Sequence, residues 1–220
     1  MQRGDGSAIA SDFITRFTNY LFQSIKNFGD NYSWTDMPFH SKERALYSHV
    51  GAAISNITHV HMSEIPISGC DDNPRRVDFW CYYRHAHIGI EIKKAWVNIK
   101  STQADVLNKD FIESWHEMIN QTNDVYHHMR GEWRGEHEKV ISIGVMAFAA
   151  YSGRRSHQES YEYDLWKKII TDHISELDPD HVNFIITIDL AEWGGNTVHT
   201  FGGRDEFIPL IGLAGYIKNA

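Results

Sequence analysis

The chain has 220 residues, 42% of them hydrophobic and 13% aromatic, with a formal net charge of −8 and a pI near 5.9. That is ample material for a packed core and excludes a disordered chain. The acidic balance excludes a global basic field, so any contact with nucleic acid must come from local patches; it does not weigh against an enzyme that works with a metal.

No linker divides the chain, which reads as one large domain with an N-terminal embellishment, residues 1–40, ahead of the main unit, 41–220. From Ala8, the residues Ile9, Phe13, Phe17, Leu21, Ile25 and Phe28 recur at helical spacing and stop at Gly29. This amphipathic helix packs on a core; the sharper alternative is a homodimer contact through it. Residues 31–40 read as a connecting loop. Ser41 suits an N-cap for a helix over 42–56, with Leu46, Val50, Ala53, Ile54 and Ile57 inward and Glu43 on the same side. A first strand is expected over 59–67, followed by a turn over 69–74.

The most informative stretch is Arg75 to Lys94, RRVDFWCYYRHAHIGIEIKK. Both arms alternate with a period of two, which predicts a β-hairpin. A tight turn at Arg84-His85 places Asp78 opposite Glu91 and Val77 opposite Ile92. Opposed residues share a face, and Lys93 joins them two positions after Glu91. Two carboxylates so close repel unless a cation or a proton compensates, and a divalent metal is the simplest compensation.

Further on, a helix is predicted over 104–130, with Phe111, Trp115, Met118, Thr122, Val125 and Met129 on one face and Gln121 at its flank. The run 139–151 (KVISIGVMAFAAY) reads as a central strand buried on both faces. A helix over 161–177 and a second buried strand over 181–190 follow, then a hairpin-like piece around Gly202-Gly203 and an apolar tail, 207–217. The elements make an α/β fold with a central mixed sheet covered on both sides.

Asp78, Glu91 and Lys93 are thus the candidate catalytic residues. Glu91-Ile92-Lys93 is the one acid-x-Lys triplet of the chain, and it lies on a hairpin arm whose partner supplies an Asp. Arg75, Arg76, Lys94, Lys100, Arg154 and Arg155 are candidates for phosphate contacts. Of the fourteen histidines, the pairs His59/His61, His85/His87 and His127/His128 show no full ligand set at zinc-site spacing. Cys70 and Cys81 make neither a disulfide framework nor a metal knuckle, and Cys81 reads as a buried thiol. The N-terminus shows no secretory pattern and the longest apolar run is too short to span a bilayer, so a cytoplasmic protein without membrane contact is expected.

On these residues the sequence resembles the PD-(D/E)XK nuclease superfamily, the restriction-endonuclease-like fold, over residues 41–151 with core order αβββαβ. Asp78 matches the first acid of the motif and Glu91-Ile92-Lys93 its second half. Glu43 falls where many members carry a helix acid that assists the metal. Val77 stands where the motif name has proline, and Gln121 and Tyr126 are one residue too far apart for the Gln-x-x-x-Tyr arrangement of one subfamily. The resemblance implies Mg²⁺ (or Mn²⁺) held by Asp78, Glu91, the Ile92 carbonyl and Glu43, with Lys93 orienting a water. The expected activity is hydrolysis of phosphodiester bonds in double-stranded DNA, in a restriction or defence role. The competing reading is a non-catalytic protein- or nucleic-acid-binding module on the same fold.

Overall fold

The computed structural model describes residues 6–34, 36–40, 42–67, 75–99, 106–132, 138–153, 161–194, 198–201 and 204–219. In chain order these form α1 (Gly6–Asn31), 3-10 turns at Pro38–His40 and Glu43–Leu46, α2 (Tyr47–Ser55), β1 (His61–Ile67), β2 (Arg75–Tyr83), β3 (Ala86–Asn98), α3 (Lys109–Glu132), β4 (Lys139–Ser152), α4 (Tyr163–Leu177), β5 (Phe184–Asp189), β6 (Val198–Phe201) and β7 (Arg204–Asn219). One seven-stranded sheet runs in the order β1-β2-β3-β4-β7-β5, with β6 paired to β7. The β3–β4 pairing is parallel and the others are antiparallel, so the sheet is mixed.

The β2–β3 hairpin turns where expected. Arg84 and His85 both adopt positive φ, 48° and 61°, the backbone of a two-residue turn whose twist matches that of the strands it joins. Five pairs follow in the expected register, from Tyr83–Ala86 to Phe79–Ile90. Because side chains alternate, Ile88, Ile90 and Ile92 then share one face of β3 while Gly89, Glu91 and Lys93 share the other.

Each face is covered by a different pair of helices. The Ile88/Ile90/Ile92 side packs against Phe13, Phe17, Leu21 and Ile25 of α1 and Val50 and Ile54 of α2. Residues 6–31, expected as part of an extension, therefore supply one wall of the central core. The apolar face of α1 is buried within its own chain, as the core-packing reading expects. On the opposite side α3 and α4 pack together over β4 and β7 through Phe111, Trp115, Met118, Trp166 and Ile170. Glycines let α3 sit close. A Cβ on Gly144 of β4 would lie 2.5 Å from Thr122 Oγ1, and one on Gly89 of β3 would lie 2.6 Å from Val125 Cγ1.

Several boundaries differ from those expected. The helix over 42–56 begins as the 3-10 turn Glu43–Leu46 and is regular only from Tyr47; Ser41, its expected N-cap, lies outside the described residues, as does the expected start of α3. β4 is buried on both faces as expected, but β5 is half-buried throughout and forms the edge of the sheet. The apolar tail is β7, a sixteen-residue strand in the sheet's interior between β4 and β5. Its Pro209 and two glycines weigh against a central strand. They are accommodated because the β4–β7 register shifts between Ala150 and Ser152, beside Pro209. Gly212 and Gly215 lie directly under the rings of Phe148 and Phe184, where a Cβ would come within 2.3 and 2.1 Å. Cys81 is a buried free thiol, pushed up to about 12 by burial. No helix among the described residues is long and apolar enough to cross a membrane.

Gly144→Val places a branched side chain where Thr122 and Met118 already sit, so α3 must lift from β4. Urea denaturation is expected to show a loss of about 1–3 kcal/mol, and an unchanged midpoint would mean that this packing is not tight.

Candidate active site

The antiparallel pairing of β2 with β3 ends at Phe79–Ile90. Beyond that point the backbone N–H groups of β3 that point toward β2 need other acceptors, since an unmet donor away from water is costly. Carboxylates take that place. The Ile92 N–H donates to Asp78 Oδ2 at 2.8 Å, and the Lys94 N–H, two residues on and pointing the same way, serves the Glu43 carboxylate. In return the Asp78 N–H serves the carboxylate of Glu91. Three acids thus converge along the stretch of β3 that β2 has left.

Asp78 is fixed from a second direction: Tyr47 donates its hydroxyl to Asp78 Oδ1 at 2.6 Å, and its ring packs edge-on against Phe79 at 5.2 Å. Glu43 and Tyr47 are brought in together because they are four residues apart on one continuous helical segment. Lys93 projects to the α3 side, where its ammonium meets Glu117 Oε1 at 3.0 Å. Gln121, one turn along α3, donates to the same oxygen at 2.9 Å.

The electrostatics are those of crowded like charges in a partly dry place. Glu91 is 3% exposed and its Oε1 accepts no hydrogen bond. Burial, with the Asp78 carboxylate beside it, raises its pKa from the ordinary 4.5 to about 9. Burial also raises Asp78, against the lowering effect of the Tyr47 and Ile92 hydrogen bonds. Glu43 is raised by burial and by its acidic neighbours, with Lys93 opposing. Burial pulls Lys93 down, but Glu117, Glu43 and Asp78 outweigh it and hold its ammonium above the usual lysine range. Lys93 is therefore firmly a cation.

Asp78, Glu91, Ile92, Lys93 and Glu43, all read from the sequence as site residues, meet at this one place. The expected phosphate contacts do not all join them. Arg76 is exposed and turned to Glu64 of β1 at 3.8 Å. Arg75 enters β2, its side chain outside what is described, and Lys100, Arg154 and Arg155 lie outside the described residues. Lys94 lies on the opposite face of β3 from Lys93, its ammonium 3.9 Å from the centre of the Trp96 ring; burial pushes it down to about 8. It lines an open cleft of about 470 Å³ with His40, Lys42, Glu43 and Trp96. Tyr47 and Glu117 were not singled out in the sequence, although Tyr47 follows Glu43 by four residues and Glu117 precedes Gln121 by four, a spacing that places each pair on one helix face.

Among the described residues no three His, Cys, Asp or Glu side chains are already disposed as a metal cage. The donor set nonetheless suits a hard divalent cation, because Glu91 Oε1 is a buried oxygen without a donor and two of the acids are strained toward their protonated forms. The histidine pairs are engaged elsewhere: His61 approaches Ser55, His87 pairs with Glu138 and His128 with Glu132. Compared with known proteins, the chain matches no family model, no curated protein and no solved structure.

Glu91 has its pKa raised on folding, so its cost begins as pH rises through 4.5, where the unfolded chain ionises, and grows until about pH 9. Glu91→Gln, which keeps the acceptor for the Asp78 N–H, is expected to stabilise the metal-free protein at pH 7 by roughly 1–3 kcal/mol. The gain should vanish at pH 4. Denaturation at the two pH values checks this, and equal effects at both would show that Glu91 carries no shifted proton.

Proposed function

We propose that the protein is a divalent-metal-dependent nuclease that hydrolyses DNA phosphodiester bonds, built on a restriction-endonuclease-like fold of the PD-(D/E)XK type. The observation that carries this reading is the convergence of Asp78, Glu91 and Glu43 where β2 leaves β3, with a buried Glu91 oxygen that no donor serves. The order α2-β1-β2-β3-α3-β4, with β3 and β4 parallel, supports it as the core order that fold requires.

Asp78 and Glu91 would hold Mg²⁺ or Mn²⁺, with Glu43 and the Ile92 carbonyl as further oxygen donors. A cation bound there lowers the pKa of a water and neutralises charge that develops on the phosphate. The chain's own residues do the rest. Tyr47 and the Ile92 N–H hold both oxygens of Asp78, so its carboxylate is presented in one orientation. Lys93, held as a cation by Glu117, Glu43 and Asp78, is not the base in this reading. It donates instead, orienting the attacking water and stabilising the negative phosphate oxygens. Glu117 and Gln121 hold the lysine on its α3 side until a phosphate competes for it. Water would attack phosphorus in line and pass its proton to solvent as the P–O bond to the leaving group breaks; the leaving oxygen takes a proton from solvent, giving a phosphomonoester end and a hydroxyl end.

Supercoiled plasmid incubated with the protein and Mg²⁺ or Mn²⁺ should be nicked or linearised. Lys93→Ala and Asp78→Asn should each lower the rate by about 100-fold or more while the circular dichroism spectrum is unchanged. A folded wild type that cuts no DNA with either metal, or variants as active as wild type, would overturn the nuclease reading and favour a binding module.

A further inference from the structure

Glu43 belongs to two places at once. Its carboxylate stands with Asp78 and Lys93 in the acidic site, and it also lines the cleft shared with His40, Lys42, Lys94 and Trp96. The cleft therefore adjoins the acids through Glu43. The cleft wall is aromatic: the rings of His40 and Trp96 lie within 21° of parallel, with centres 6.3 Å apart. Tyr151 packs edge-to-face with Trp96 at 5.7 Å. The cleft also carries two cations. Lys42 is exposed. Lys94 is half-buried, and among the described residues its ammonium makes no ion pair with a carboxylate; its recorded contact is the face of Trp96 at 3.9 Å.

An aromatic cleft with two cations, one of them over the Trp96 face, is complementary to a base with its phosphate, and base–aromatic stacking is tolerant of sequence. The volume of about 470 Å³ is that of a small-ligand site. That is room enough for one nucleotide. Building on the nuclease reading above, we propose that this cleft receives a single unpaired nucleotide next to the scissile phosphodiester, its base against the His40–Trp96 wall and its phosphate at Lys42 and Lys94. The substrate is then DNA with an unpaired segment at the cut: a single strand, an overhang, or a nucleotide turned out of a duplex. The cation–ring contact of Lys94 is weak and is exchanged for a phosphate contact when the strand enters.

The test separates binding from cutting. With EDTA present, fluorescence anisotropy of a labelled single-stranded 12-mer is compared with that of the blunt duplex of the same sequence. The single strand should bind about tenfold tighter or better, and Trp96→Leu should remove about tenfold of that affinity. Lys42→Glu, at an exposed position, should weaken it similarly without any risk to folding and make it less salt-dependent. Equal binding of the two DNAs, or single-strand binding indifferent to both substitutions, overturns the cleft. Because this arm needs no cleavage, the two readings fail separately. A protein that cuts duplex plasmid but shows no cleft-dependent single-strand preference is a nuclease without this subsite. One that binds single strands through Trp96 and Lys42 but never cuts keeps the subsite and loses the nuclease.

Discussion

The site depends on where a β-ladder stops. Had β2 stayed with β3 past Phe79–Ile90, the Ile92 and Lys94 N–H groups would be spent on backbone carbonyls and no carboxylate would be drawn to that edge. Because the pairing stops, two donors in a row are left on β3, and Asp78 and Glu43 answer them from different parts of the chain. The exchange is partly reciprocal, since the Asp78 N–H turns to Glu91. The hydrogen bonds forgone by the ladder are regained by side chains, and the gain is what holds three carboxyl groups near one another. β1 continues alongside β2 on its other edge, with partners from His61–Cys81 to Ile67–Arg75, so β2 can leave β3 without coming loose from the sheet.

Holding acids together has an electrostatic cost that the fold does not fully offset. Asp78, Glu91 and Glu43 are all shifted toward their protonated forms, burial being the first cause in each case. Lys93 relieves them only in part: it lowers all three, but burial outweighs it and its hydrogen bond goes to Glu117 on α3. A buried structural ion pair would show the opposite pattern, with the lysine bonded to the acids and their pKa values lowered. Several acids raised together by burial and by one another are characteristic of groups arranged for a ligand. That contrast favours a working site over a chance pairing on a solvated face.

Much of this was legible in the chain because the hairpin is local. Period-two alternation and a two-residue turn determine the five pairs from Tyr83–Ala86 to Phe79–Ile90, but the expected pairs Asp78–Glu91 and Val77–Ile92 do not form, and Asp78 reaches Glu91 by another route. The break in the ladder was not legible: alternation continues through Val77 and Asp78 as though the pairing did too, yet Val77 packs with Val125, Tyr126 and Met129 of α3 while Phe79 packs on the opposite side with the α1–α2 core. Tyr47 and Glu117 reach the site from helices whose placement depends on tertiary packing, so only their four-residue spacings to Glu43 and Gln121 hinted at them. β7 was hidden for a different reason. Pro209, Gly212 and Gly215 are poor residues for an interior strand by local preference, and their fit depends on a register shift and on two phenylalanine rings far away in sequence.

The same glycine logic ties the core to the chemistry. Lys93 meets Glu117 only if α3 lies close over β3 and β4, and that closeness rests on the absence of side chains at Gly89 and Gly144. Gly144 is the register partner of Glu91, so the atom that would push α3 away stands next to the acid that α3 helps to bury. A looser helix would admit water to Glu91 and lower its pKa. It would also carry Glu117 away and leave Lys93 free to neutralise the acids. The packing of one helix on two glycines therefore places Glu117 where it takes the hydrogen bond of Lys93, while the lysine still stands beside the carboxylates.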